Sequence, residues 1–230
     1  MRKLLTMCST HHRPELFIRM IESYAKTVRN PESRFVAYVS EDDPHLIAYK
    51  SIKLPNKNMS LEIGPYRTMV QVLNYFSCEK YLDYTHYSEV NDDHIFVTEG
   101  WDNKMMAAVD SKNGGVSVAY GQTQNMPTAT MHGVKFIRYF NYFFPPEYHH
   151  TWVDNWLSDI GFTANILTYV EDVLIDHVHW VFQKAHRDEV SVTVENDLDY
   201  GKKAYTTWKE TNRKEDIRNL ELYLSNLKKT

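Results

Sequence analysis

Residues 84–109, YTHYSEVNDDHIFVTEGWDNKMMAAV, constrain the fold of this chain more than any other stretch. Tyr84, His86, Ser88 and Val90 alternate with Thr85, Tyr87 and Glu89, which is the two-residue period of a β-strand. The strand runs out at Asn91-Asp92-Asp93-His94, so two carboxylates and an imidazole stand where a strand gives way to a loop. After Ile95-Phe96-Val97, Glu99-Gly100-Trp101-Asp102 turns the chain into an amphipathic helix carrying Met105, Met106 and Val109. Acids at a strand end, followed by a helix, call for an α/β fold with polar groups collected at one end of its sheet.

The preceding residues repeat that pattern. Residues 3–7 read as a first strand and Ser9-Thr10-His11-His12-Arg13 as a polar loop. Pro14 suits the first turn of a helix, where its missing N–H is not needed. Leu16, Phe17, Met20, Ile21, Tyr24 and Val28 recur at helical spacing. Residues 34–40 (RFVAYVS) form a second strand, ending in Glu41-Asp42-Asp43-Pro44. This βαβ unit implies a parallel pair. A third strand is expected over residues 51–54, and a helix starting at Gly64-Pro65 with Tyr66, Val70, Leu73 and Phe76 inward. The order is that of a doubly wound half, whose ligand site lies off the carboxyl ends of the strands. Three polar loops meet there: residues 9–13, 41–43 and 91–94.

The second half begins with a turn at Asn113-Gly114-Gly115 and a strand over residues 116–120. Residues 121–130 read as a loop over the site. Residues 132–144 fit strand or helix until Pro145-Pro146 breaks them. Residues 148–160 read as a helix bearing Trp152, Trp156, Leu157 and Ile160, ended by Gly161. Strands are expected over residues 166–170 and 173–181, the latter with His177 and His179 on one face. Residues 184–200 are polar. Residues 202–228 read as one charged helix that packs on the body through Ile217, Leu220, Leu224 and Leu227.

Composition narrows the function classes. The chain has 230 residues, 43% apolar and 13% aromatic, enough for one large domain with a sizeable core. Its net charge of −4, with no long basic run, disfavours a broad nucleic-acid footprint. Two cysteines, Cys8 and Cys78, make neither a disulfide framework nor a zinc site, which fits a reducing cytoplasm. No apolar stretch approaches ~20 residues, so membrane insertion is not expected.

Four segments resemble the small GT-A-fold glycosyltransferases, the family-2-like enzymes of bacteria and bacteriophages. Thr10-His11-His12-Arg13-Pro14 looks like the family's T-x-x-R-P start. Glu41-Asp42-Asp43 looks like the acidic end of its second strand. Asn91-Asp92-Asp93-His94 with Thr98-Glu99-Gly100-Trp101-Asp102 is similar to a DDH…T-x-GWD signature. Asp172-Val173-Leu174-Ile175-Asp176-His177-Val178-His179, followed by Lys184-Ala185 and Asp188, looks like the late H-x-H…KA…D segment. Together they cover residues 3–188. Asn91 departs from the family's aspartate.

The resemblance implies a mostly parallel, Rossmann-type mixed sheet flanked by helices. It divides into a nucleotide-binding half over residues 1–110 and an acceptor half over residues 111–200, with a C-terminal helix over residues 201–230. It also implies transfer of a sugar from a nucleotide-sugar, UDP-sugars favoured, to a hydroxyl acceptor. That acceptor is a glycan or a modified nucleobase of phage DNA. Departure of the diphosphate builds negative charge that Mn²⁺ or Mg²⁺ stabilises. Asp93 is the first metal ligand, with His177 or His179 arriving from a distant strand. Mn²⁺ accepts such an imidazole beside carboxylate oxygen. Asp92 serves the ribose or shares the ion. Asp42 or Asp43 serves the base or ribose. Thr10, Arg13 and Arg67 serve the nucleotide or diphosphate, since guanidinium forks match phosphate oxygens. Asp154 occupies the place of the group's catalytic base for an inverting transfer, with His149 and His150 as substitutes. The rivals are a nucleotidyltransferase of related architecture, acting on an α-phosphorus, and a non-catalytic nucleotide- or glycan-binding module.

Overall fold

The computed structural model describes residues 1–121, 126–180, 184 and 186–226. The expectations on Val181, Ala185, Leu227 and part of the 121–130 loop lie outside these residues. The expected βαβ start is present: β1 (Leu4–Ser9), α1 (Pro14–Thr27) and β2 (Ser33–Ser40), with β1 and β2 parallel from the Leu4–Ser33 pair to the Ser9–Tyr38 pair. Both faces of these strands are covered. Leu4 and Cys8 face one apolar core with Phe35, Ala37 and Val39, while Leu5, Met7, Val36 and Tyr38 face the other. Strands buried on two sides read as continuous apolar runs rather than alternating ones.

The third strand differs from expectation. Residues 46–51 form a short helix, α2 (Leu46–Ser51), which buries Tyr49 against Phe17. The strand itself is β3 (Met59–Gly64), parallel to β2. Met59, Leu61 and Ile63 alternate there with Ser60 and Glu62, whereas the 51–54 segment runs into Pro55-Asn56. Gly64 therefore ends a strand rather than starting a helix, and Tyr66 is 62% exposed. Helix α3 (Met69–Asn74) starts after Thr68, whose hydroxyl and the Gln71 side chain form a capping box. A π-helical turn, Tyr75–Lys80, extends it.

The acidic stretch folds as expected at its start and end. β4 (His86–Glu89) pairs parallel to β1, and α4 (Trp101–Ser111) buries Trp101, Met105, Met106 and Val109. Between them a short β5 (His94–Phe96) joins the sheet. Then come β6 (Val116–Tyr120), β7 (Thr130–Gly133) and α5 (Val134–Phe140), so the ambiguous aromatic segment is strand and then helix. Helix α6 (Val153–Thr163) begins later than expected and runs past Gly161, which lies against Leu167. Where two strands were expected there is one long strand, β8 (Leu167–His177), with an irregularity where its pairing to β6 shifts between Ala119 and Tyr120.

The last stretch holds three helices instead of one: α7 (Glu189–Asn196), α8 (Leu198–Thr211) and α9 (Arg213–Asn226). A single turn residue, Asn212, separates α8 from α9. Ile217, Leu220 and Leu224 of α9 pack into the core as their spacing predicts.

Among the described residues the strands form one eight-stranded sheet in the order β3-β2-β1-β4-β7-β6-β8-β5. The β3-β2-β1-β4 run is parallel. β7 is antiparallel to both β4 and β6, β8 runs parallel to β6, and β5 is antiparallel to β8. From β1 the chain winds outward to β2 and β3, then returns to the opposite side at β4. The carboxyl ends of β1 and β4 thus frame a topological switch point, where a crevice opens.

Candidate active site

A cleft of about 460 Å³ opens at that switch point. The loop after β1 brings Thr10, His11 and Arg13 to it, and the loop after β4 brings Asn91, Asp92 and Asp93. His177 and His179 reach it from the end of β8, Arg67 from the loop before α3, and His149 and His150 from the segment before α6. Helix α7 closes one side through Val190, Ser191 and Val194.

Asp92 and Asp93 are both buried. The Thr10 hydroxyl donates to Asp92 Oδ2 at 2.9 Å and stands 2.7 Å from the Tyr49 hydroxyl. Arg13 Nη1 lies 3.5 Å from Asp92 Oδ1 and 3.9 Å from Asp93 Oδ2. The rest of its guanidinium grips Asp188 bidentately, with two bonds of 2.6 Å. One guanidinium is shared by three carboxylates, so negative charge is in excess. Burial pushes Asp92 up to about 7, against the Arg13 charge and with the help of Asp93. Burial also works against ionised Asp93, but the His177 hydrogen bond and the charges of His177, His94 and Arg13 hold it well below the carboxylate range.

His177 Nε2 stands 3.2 Å from Asp93 Oδ1. Strands β5 and β8 create this approach by placing His94 opposite His177. The backbone N–H of Val178 donates to the Asp93 carbonyl at 2.9 Å and locks the strand end in place. His94 is a support for this pair: its Nδ1 accepts the Asn91 N–H at 2.8 Å, and its ring lies 4.6 Å from that of His177. Cis ligands of a six-coordinate ion with bonds near 2.1 Å stand about 3 Å apart. The 3.2 Å separation of Asp93 and His177 is a hydrogen-bond distance and is also compatible with two neighbouring ligands of one divalent cation. An oxygen and nitrogen donor set suits Mn²⁺ better than Mg²⁺. The His179 ring lies 5.1 Å from that of His177, one residue pair beyond the strand.

The other predicted residues divide. Arg67 lies over the Tyr75 ring at 4.1 Å and faces Tyr38 at 6.0 Å, a cation platform on the cleft wall. Asp42 is exposed and takes a hydrogen bond from Ser40. Asp43 is buried and faces inward to the scaffold: its two oxygens accept the N–H groups of His12 and His45 at 2.8 and 2.7 Å. Neither lines the cleft. Asp154 lies in the first turn of α6, in a neighbouring groove with Asn155, Phe162 and Tyr205. Burial raises its pKa and the charge of His177 lowers it. His150 lies in the cleft itself, and burial lowers its pKa.

Several contributors were not foreseen. Asp188 appeared only as the end of a motif, yet it caps α7 through the Ser191 N–H at 2.9 Å and pairs with Arg13. An aspartate three residues before a serine, ahead of Val190 and Val194, is a helix-start signal within a polar segment. Glu89, at the end of β4, is buried with Thr130 donating to it at 3.2 Å; burial pushes it up to about 8, opposed by that bond, with Asp154 and Asp93 adding to the rise.

No protein-family model and no curated protein matches the sequence. Solved structures do match. Residues 1-349 of S. aureus TarS, in complex with UDP-GlcNAc, are 15% identical, with a TM-score of 0.57 over 81% of this chain and 60% of that one. The mannosyltransferase PcManGT from Pyrobaculum calidifontis, in complex with GDP-Man and Mn²⁺, is 8% identical, with a TM-score of 0.61 over 98% of this chain and 75% of that one. GalNAc-T7 with UDP, GalNAc and Mn²⁺ is 10% identical, with a TM-score of 0.64 over 77% of this chain and 43% of that one. The chain spans about three-fifths of the TarS fragment. The likeness is one of fold: this chain has the GT-A fold.

Proposed function

We propose that the chain is a metal-dependent glycosyltransferase that moves a sugar from a nucleoside-diphosphate sugar, UDP-sugars favoured, to a hydroxyl acceptor with inversion. The observation that carries this reading is the convergence of Asp93 and His177, 3.2 Å apart, at the topological switch point of the sheet. The cleft volume of about 460 Å³ suits a small organic ligand. Similar folds solved with UDP-GlcNAc, with GDP-Man and Mn²⁺, and with UDP and Mn²⁺ support the donor class and the metal.

In this reading Asp93 and His177 hold Mn²⁺, with His179 close by. When bound, the ion supplies a Lewis acid for the departing diphosphate. Asp92, positioned by Thr10 and Arg13, receives the ribose. Arg67 and the loop from Thr10 to Arg13 flank the nucleotide. Asp42 and Asp43 act on the scaffold side, Asp43 by tying the loops after β1 and β2 together. The acceptor hydroxyl gives its proton to Asp154, whose pKa is raised by burial. The acceptor oxygen then bonds to the anomeric carbon as the bond to the diphosphate breaks. His150 is the competing base, because it lines the cleft and Asp154 opens on the neighbouring groove. A glycan is the favoured acceptor, since a net charge of −4 is a poor match for phage DNA.

The test is release of nucleoside diphosphate from a panel of nucleotide-sugars with Mn²⁺. Wild-type protein should release it slowly without acceptor. Asp93→Asn and His177→Ala should each lower the rate on the order of 10²–10³-fold. Pyrophosphate release from a nucleoside triphosphate and a sugar phosphate would instead point to a nucleotidyltransferase. Asp154→Asn and His150→Gln, compared on the acceptor reaction, identify the base.

A further inference from the structure

We propose a second cation site, for Zn²⁺, formed by His11, His12 and Asp43 at the rim of the cleft and completed by Glu189. One ligand atom from each of His11, His12 and Asp43 lies within 4.8 Å of the other two. His11 Nε2 is 3.9 Å from Asp43 Oδ2, and His12 Nδ1 is 3.5 Å from Glu189 Oε2.

The backbone builds this cluster. His12 has φ of 61°, a left-handed conformation that a non-glycine residue seldom adopts. That turn leaves the two adjacent imidazoles stacked, with ring centroids 4.0 Å apart, rather than on opposite sides of the chain. Asp43 is rigid and buried, its oxygens fixed by the His12 and His45 N–H groups. Each carboxylate oxygen keeps a lone pair after accepting one such bond. Small rotations of the two histidine side chains bring ligand atoms that lie within 4.8 Å of one another to the separations of a tetrahedral zinc centre, about 3.4 Å for bonds of 2.0–2.1 Å.

The donor set selects the metal. Two imidazole nitrogens and one or two carboxylates suit zinc; hard ions such as Mg²⁺ and Ca²⁺ want oxygen throughout. No ligand is shared with the Asp93–His177 pair, so this site stands or falls independently of the proposed donor metal. Its effect follows from its position. His11 lines the cleft, Asp43 belongs to the loop after β2, and Glu189 is the first residue of α7, which walls the cleft. Zinc here clamps α7 against the β1 and β2 loops.

The test uses the full untagged chain carrying Asp93→Asn and His177→Ala, titrated with ZnCl₂ by calorimetry. One equivalent of zinc should bind. Adding His11→Ala and His12→Ala should abolish that equivalent. Glu189 is 91% exposed in its side chain, so Glu189→Gln does not act by unfolding the chain, and it should weaken zinc at least about tenfold. The proposal is overturned by absence of zinc uptake in the first protein, by retention of the equivalent without His11 and His12, or by unchanged affinity in Glu189→Gln.

Discussion

His132 shows how much a single buried side chain can bear on stability without touching the site. It lies in β7, fully buried, stacked on Phe143 with ring centroids 3.9 Å apart. Neither ring nitrogen has a hydrogen-bond partner among the described residues. Burial lowers its pKa to about 3, against an ordinary value of 6.5. Below pH 6.5 the unfolded chain takes a proton that the folded chain refuses, so stability falls as pH drops from 6.5 toward 3. The slope is about 1.4 kcal/mol per pH unit for this group. In urea unfolding, His132→Phe should lose that slope and gain roughly 2 kcal/mol on wild type between pH 7 and pH 5. An identical pH dependence in both proteins would show that His132 finds a partner in solution. At this scale the sequence disclosed residue types better than roles. Asp92, Asp93, Arg13 and His177 could be singled out because charged groups at strand ends have few structural reasons to be there. Asp102 could not: it reads as part of a motif, but its carboxylate accepts the N–H groups of Arg29 and Asn30 and the Ser33 hydroxyl, which fastens the end of α1. Only three-dimensional neighbours separate a ligand from a fastener.

Helix α7 lines the cleft, and its role was the least visible in the sequence. Its segment is polar because one face meets solvent and the other meets the guanidinium of Arg13, so apolar periodicity is weak. Asp188 both caps the helix and holds Arg13, and two variants separate these roles. Asparagine caps nearly as well as aspartate, whereas alanine does not. Asp188→Asn should leave the melting point close to wild type but raise the donor KM, because Arg13 is released from its orientation. Asp188→Ala should add a loss of roughly 0.5–2 kcal/mol from the missing cap, with faster hydrogen exchange over residues 189–196. Equal behaviour of the two variants would mean that capping and orientation are not separable. Elements with strong periodicity were read correctly: α1, α4, and the apolar stripe of α9. Errors came where two weak signals competed. The expected strand over residues 51–54 is followed by Pro55, and the true alternation begins at Met59. The sequence of residues 202–228 reads as one continuous helix because nothing as strong as proline marks the break at Asn212.

For the whole molecule, the doubly wound half could be foreseen from the order of strands and helices, and the sheet confirms it. The antiparallel β7 and the return of β8 to β5 could not, since segments far apart in the chain must meet before His177 faces Asp93. That long-range closure also gives the C-terminal helices a structural duty. Ile217, Leu220 and Leu224 are buried in the core shared with α5 and α6. Ending the chain after Asn196 would expose the surface they cover; losing three such side chains removes roughly 5–8 kcal/mol of burial. That is comparable to the total stability of a domain. The shortened chain should show no cooperative thermal transition, whereas a sharp transition near that of the full chain would show that α8 and α9 are dispensable. The central claim is that Asp93 and His177 make a metal-dependent seat for a nucleotide-sugar. Its most direct test is calorimetric titration of UDP-sugars and GDP-sugars into the full chain, with and without Mn²⁺, in wild type and Asp93→Ala. Binding of at least one donor by the wild type only when Mn²⁺ is present, and lost in Asp93→Ala, is the predicted result. Donor binding that ignores both the metal and Asp93, or no binding of any donor, would contradict it.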